Sequence, residues 1–223
     1  MRKPSTGMMV FILLCATVMS GGVVPATAQP LAGAESCGAD VNTPPSTINL
    51  ETQGHQIRDA TRCLINAERT NRSLPELTVN ANLAFAADGH TQRAVSVKWW
   101  GESNPHVDPD LDINPGTGGP MEPNAAIAAR INRAGYCPGG ATWVSEIAYT
   151  GAGNGCPLGA CSTPAAAVNW WMNISTQGHR EAILSPAIRE IGVGVGGDVA
   201  NKDPAQNMQT ERGTYVVNFG ACP

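Results

Sequence analysis

Six cysteines follow the first 28 residues of this chain: Cys37, Cys63, Cys137, Cys156, Cys161 and Cys222. The segment before them says where they act. Arg2 and Lys3 precede a largely apolar run from Met8 to Met19, and Ala26-Thr27-Ala28 offers a small-x-small cleavage site before Gln29. That pattern predicts a secretory signal peptide over 1–28, too short to span a bilayer. A lipid anchor on the seventh cysteine, Cys15, is not expected, because bulky Leu14 stands where such sites need a small residue. An even number of cysteines in an exported chain reads as three disulfides. Cys156 and Cys161 bracket a four-residue stretch and could close a small loop, which would leave Cys37 with Cys63 and Cys137 with Cys222; other connectivities stay open. No second Cys or His pair completes a zinc-finger spacing.

Cleavage leaves 195 of the 223 residues, enough for one domain with a substantial core. The remaining 12 basic and 18 acidic residues give a net charge of −6. Without a Lys/Arg cluster to track phosphates, nucleic acid is not the expected partner. No later segment approaches membrane-spanning length, and a monomer is expected.

Residues 29–53 are rich in Pro, Thr, Ser and Asn and show no helical period, so they read as an N-terminal extension before a domain at 54–223. From Ile57 the pattern turns helical, with Ala60, Leu64 and Ala67 on one face. A second helix carries Leu83, Ala87, His90 and Ala94; residues 98–123 are irregular; a third helix turns Ile127, Ile131 and Ala134 inward and stops near Gly135. Residues 142–149 alternate as a strand. Thr163 and Pro164 open a fourth helix that ends near Asn173, and "GHREAIL" adds a short turn. "EIGVGVGG" and "TYVVNFG" read as an antiparallel strand pair. Interleaved helices and strands with no phosphate-binding turn place the chain in the α+β class.

The chain holds neither His-Glu-x-x-His nor Gly-x-Ser-x-Gly, which leaves histidines and carboxylates as candidates for chemistry. His90 sits on an apolar helix face and reads as a hydrogen-bonded core residue; His55 reads as solvated. His106 lies in an irregular segment beside Glu102, Asp108 and Asp110, where binding groups tend to be carried. Glu146 stands inside an apolar strand and needs a cationic, hydrogen-bonding or metal partner if it points inward. His179 opens a short helix. Two imidazoles and a carboxylate could hold Zn²⁺ with an open position for water. Without metal, Glu146 could orient a histidine; equally, the three could simply fasten loops to the sheet. Their spacing does not show that they converge.

The order of motifs resembles the CAP superfamily (cysteine-rich secretory proteins, antigen 5 and pathogenesis-related proteins; the SCP-like domain), in its short bacterial branch. The resemblance runs from about Gln56 to Gly220. It is carried by "LINAERTNRSLPELTVNANLAFAADGHTQRA", "NPHVDPD", "RINRAGY", "VSEIAY", "AVNWWMNISTQGHREAIL" and "EIGVGV…YVVNFG", in that order. It implies a three-layer α-β-α sandwich with a central, mainly antiparallel sheet, and a surface cleft at His106, Glu146 and His179, with His106 and His179 as candidate zinc ligands. The chain departs from the family at Ser145-Glu146-Ile147, where Gly-Glu-Asn is usual, and has Met172, Asn173 and Ile174 where larger members place a second glutamate. "STQGH" is also one residue longer than the usual spacing. The resemblance further implies a secreted or periplasmic, non-enzymatic binding module for a small apolar ligand or a cell-envelope component. The rival expectation is a zinc-assisted hydrolase using the same cleft, its general base recruited from Glu102 or Glu181. A third is a disulfide-stapled structural protein.

Overall fold

A computed structural model describes residues 31, 33–156 and 159–223, with side chains described for all of these except 155, 156, 159 and 160. The expected signal peptide lies outside the described residues, and the expected Cys156–Cys161 pairing rests on the Cys156 side chain, which is not among the described side chains. Six α-helices are described: α1 (Leu50–Thr70), α2 (Ala81–Val97), α3 (Pro123–Arg133), α4 (Pro164–Asn169), α5 (His179–Ile183) and α6 (Pro204–Asn207). The strands are β1 (Thr78–Val79), β2 (Trp143–Ala152), β3 (Asn154–Cys156), β4 (Gly159–Ala160), β5 (Glu190–Gly196) and β6 (Arg212–Ala221). Short 3₁₀ turns fill much of the segment before α1.

Strands β1, β5, β6 and β2 form one sheet in that order, and β3 pairs with β4 in a small hairpin. The two closing strands pair antiparallel as expected, and β6 also runs antiparallel to β2. The sheet is mixed rather than wholly antiparallel, because the two-residue β1 joins β5 in parallel at its edge. So short a strand, inside a stretch that reads as a turn, leaves no period to detect.

Side-chain alternation divides the sheet into two faces. Ile147, Tyr149, Val193, Val195, Tyr215, Val217 and Phe219 point to one side and form the main core with Ile57, Leu64 and Ile65 of α1 and with the α4 segment. Ala148 and Val216 face the other way, against Ala87 and Ala94 of α2 and the pair Trp99 and Trp100. Beside them Leu83 and Ala86 pack on Ile127 and Ile131 of α3. Helices thus cover both faces, giving the expected α-β-α sandwich.

The second face is where the site lies. On it β5 presents Gly192 and Gly194, cross-strand from Asn218 and Val216 of β6, which in turn pair with Glu146 and Ala148 of β2. A Cβ on Gly192 would overlap the backbone of Leu83 and Ala84; one on Gly194 would overlap Ala87. The glycine alternation of "EIGVGVG" therefore lets α2 lie directly on the strand.

Helix α1 starts seven residues before the apolar period becomes visible at Ile57. Asn49 caps it, its side-chain oxygen accepting from the Glu51 and Thr52 amides at 3.0 and 3.2 Å. Glu51, Thr52 and Gln53 are exposed, so the first turn has no hydrophobic pattern to read. Disulfides join Cys37 to Cys63 and Cys137 to Cys222. The first ties the N-terminal extension to α1; the second ties the segment after α3 to the end of the chain. Cys161 is also disulfide-bonded.

Candidate functional site

Glu146 projects from the middle of β2 toward α2 and α3 and its side chain is fully buried. Its counter-charge is Arg130, one turn along α3 from inward-facing Ile127. Nη2 of Arg130 donates to both Glu146 oxygens at 2.9 Å, while Nη1 donates to buried Asp112 at 2.8 Å. Asp112 also accepts the Asp108 amide at 2.9 Å and a longer contact from Arg133 at 3.3 Å. The partner that an inward Glu146 requires is thus a guanidinium held in place by a second carboxylate.

His106 and Glu146 do come together. Nδ1–H of His106 donates to Glu146 Oε1 at 3.0 Å, which turns the Nε2 edge of the ring away from the carboxylate. On its other oxygen, Glu146 accepts from the Asn218 side-chain amide at 2.8 Å, while the Asn218 oxygen accepts the Ala87 N–H at 3.1 Å. This cross-strand amide braces the carboxylate from β6. Ile147, where the family pattern has an amide, is turned away into the main core.

His90 is the buried core residue expected of it. Its Nε2–H donates to the Pro105 carbonyl at 2.8 Å and its ring meets Trp99 edge-on. It also borders the charge network, with Nε2 3.8 Å from Glu146 Oε1. His55 is exposed, as expected.

Burial alone would raise the Glu146 pKa. The charge of Arg130, then His90 and the hydrogen bond from His106, more than offset it and hold the carboxyl at about 2. His90 adds its charge only where it is protonated, and burial lowers its own pKa.

His179 stands across the cleft rather than on Glu146. Its Nδ1 is hydrogen-bonded to Ser175 Oγ at 2.6 Å, and its ring lies 5.2 Å from that of Trp170. A single π-helical turn, Trp170–Ile174, follows α4. Within it Trp171 is fully buried, its indole N–H on the Ala148 carbonyl, while Trp170 remains half-buried beside His179. Between these groups lies a pocket of about 250 Å³ lined by Trp100, Pro105, Ala148, Tyr149, Thr150, Trp170, Gln177 and His179. His106 borders this pocket only through its neighbour Pro105.

Burial, with a smaller contribution from the charge of His106 and against that of Glu181, lowers the His179 pKa to about 4. The unfolded chain takes up this proton near pH 6.5, the folded chain only near 4. Stability carried by the neutral ring is therefore lost as pH falls from about 6.5 to 4, and no more is lost from this group below that. His179→Gln should flatten this part of the stability–pH curve. Urea titrations of both proteins across that window check it; equal slopes would contradict the assignment.

The acidic neighbours of His106 are spent elsewhere. Asp108 and Asp110 pair with Arg93, and Glu102 pairs with Lys202 at 2.8 Å. A catalytic zinc site needs about three protein ligands. Here Glu146 already shares both oxygens with Arg130, and among the described residues no group of three His, Cys, Asp or Glu side chains could hold a metal. The donor set of this cleft does not fit the metal that the resemblance implies.

Arg130, Asp112, Asn218 and Trp100 are the site residues that sequence reasoning missed. For Arg130 a signal existed: it is the cation three residues after Ile127, on the inward side of a helix, in a chain whose strand carries an inward glutamate. The other three owe their places to loop path and strand register.

Among solved structures the chain is similar to an extracellular protein containing a SCP domain from Bacillus anthracis str. Ames, at 20% identity over 75% of this chain and 41% of that one, TM-score 0.46. It is likewise similar to a cysteine-rich secretory protein from Staphylococcus aureus subsp. aureus Mu50, at 16% identity over 77% and 40%, TM-score 0.47. A third is an outer surface protein from Borrelia burgdorferi, at 17% identity over 79% and 97%, TM-score 0.48. The chain spans about two fifths of the first two proteins. No curated protein matches it. The model of the cysteine-rich secretory protein family, the CAP domain, matches residues 63–219, well over half of the sequence, and the chain belongs to that family.

Proposed function

We propose that this chain is an exported, non-enzymatic binding module whose pocket beside His179 takes a small apolar ligand, or the apolar part of a cell-envelope component. One observation carries the reading. Trp100 is 5% exposed and its indole N–H is buried with no hydrogen-bond partner, in the wall of a pocket whose other faces include Tyr149, Trp170 and His179. A buried donor left unmade costs about 1–3 kcal/mol. An apolar ligand bearing one acceptor would cover the rings and satisfy that N–H.

The surrounding chemistry supports binding over turnover. Glu146 is held ionised and fully engaged, so it is a poor proton carrier near neutral pH. Glu102, one of the two expected recruits for a general base, is exposed and paired with Lys202. Export is supported by the disulfides, which persist in oxidising compartments, and by the secretory character of the family. Among the described residues no helix is long and apolar enough to cross a membrane.

The test is organic extraction of natively purified protein followed by mass spectrometry, wild type beside Trp100→Phe, which keeps an aromatic, though smaller, ring and removes the donor. A stoichiometric apolar molecule in the wild type, depleted in the variant, is expected. Equal recovery from both, or an empty wild type, would contradict the reading. Zinc-dependent turnover lost in both His106→Ala and His179→Ala would favour the hydrolase instead.

A further inference from the structure

A second cavity, of about 290 Å³, opens between α2 and α3 and shares no lining residue with the pocket beside His179. Its walls carry three polar groups whose bonding is incomplete. Arg130 commits both terminal nitrogens to carboxylates, but its Nε–H is buried without a partner. His90 spends its Nε2 proton on the Pro105 carbonyl, a group that can only accept. Because burial keeps the ring neutral, its Nδ1 is a bare acceptor, with no hydrogen bond among the described residues. Arg133 stands at the rim, its side chain 56% exposed, with a single 3.3 Å contact to Asp112. The lips are apolar: Phe85 is 73% exposed and Leu111 59%. Both are large hydrophobic side chains left in water at the mouth of a polar-floored cavity.

These groups define a ligand by complementarity. Arg133 calls for an anion, Arg130 Nε–H for an acceptor, His90 Nδ1 for an N–H or O–H, and Phe85 with Leu111 for an aliphatic or aromatic side chain. An N-acyl α-amino acid carries all four: a carboxylate, an amide oxygen, an amide N–H and a side chain on one centre. We propose that the cavity between α2 and α3 is a second binding site of this chain, and that it takes an N-acylated apolar amino acid. The small volume restricts it to about one acylated residue, below the usual range for larger ligands.

The probe is N-acetyl-L-leucine, titrated into ¹⁵N-labelled mature protein and followed by amide shifts. N-Acetyl-leucinamide, which lacks the carboxylate, and isocaproate, which lacks the amide, are run beside it. Shifts confined to α2, α3 and the loop around Leu111 are expected, with both comparison compounds weaker by about tenfold or more. Gly89 lines the cavity, and a Cβ placed there meets nothing within 4 Å. Gly89→Leu should therefore block the cavity while leaving the helix at least as stable. Loss of binding in that variant, and about tenfold weakening in Arg133→Ala, would support the site. Equal binding of all three compounds, shifts centred on His179, no shifts at all, or undiminished binding in a folded Gly89→Leu protein would overturn it. Shifts centred on His179 would move the probe to the Trp100 pocket; the other outcomes leave that pocket untouched, and the extraction experiment tests it separately.

Discussion

Arg130→Met should cost about 3–5 kcal/mol of folding stability at neutral pH. Removing the guanidinium leaves Glu146 fully buried with only His106, Asn218 and a neutral His90 around it, and strips Asp112 of its 2.8 Å partner. The pH dependence should change with it. In the wild type the Glu146 carboxyl, held at about 2 against 4.5 in an unperturbed chain, supports folding above pH 4.5 and loses that support as pH falls toward 2. In the variant, burial is no longer offset by Arg130, the carboxyl pKa moves up, and the difference between the two proteins should narrow in acid. Urea unfolding at neutral pH and near pH 3 measures both quantities. Adding Glu146→Gln should restore part of the lost stability, because it removes the stranded charge. A loss below about 1 kcal/mol for Arg130→Met would mean that the pair is not the electrostatic centre of the site.

Gly194→Val should be nearly as damaging, by about 3 kcal/mol, for a steric reason. Overfilling a packed interior costs about 1–3 kcal/mol and more where the obstruction is backbone. At Gly194 the obstruction is the Ala87–Asp88 peptide of α2, which cannot rotate away as a side chain would. Moving the helix off the strand would also disturb His90 and the Asn218–Ala87 hydrogen bond, and with them the wall behind Glu146. Gly139→Ala is the matched control: its added Cβ meets nothing within 4 Å, and a change within about 0.5 kcal/mol is expected. Thermal and urea midpoints of the two variants settle whether the glycine alternation in β5 sets the helix–sheet distance.

Much of this fold could be read in one dimension because its signals are local. Thr163 and Pro164 announce α4; the 3.6-residue periods of α1, α2 and α3 announce helices; the β-rich runs at 190–197 and 214–220 announce the strand pair found at Glu190–Gly196 and Arg212–Ala221. The signals failed where structure is set by tertiary partners. The first turn of α1 is capped by Asn49 but polar, and β1 is two residues long and exists only by pairing with β5.

The site divides in the same way. His106, Glu146 and His179 could be nominated from residue type and motif order, and His106 does meet Glu146. The inward side of α3 signals Arg130 as a buried cation, but its register against Glu146 could not be read. That pairing depends on α3 crossing the sheet at the height of one strand residue, which no spacing in the chain encodes. Its consequence for function is large. A carboxylate shared by a guanidinium, an imidazole and an amide is a structural anchor for the cleft wall, and the pocket beside His179 is left to the rings of Trp100, Tyr149 and Trp170.

Zinc titration by calorimetry, on mature wild-type protein beside His179→Ala at neutral pH, tests that account most directly. With Glu146 tied to Arg130, the two proteins should give the same weak heats, such as isolated surface imidazoles produce. One zinc bound tightly per wild-type chain, and lost in His179→Ala, would show that the histidines and the carboxylate converge on metal and would contradict the anchored, metal-free cleft argued from Arg130.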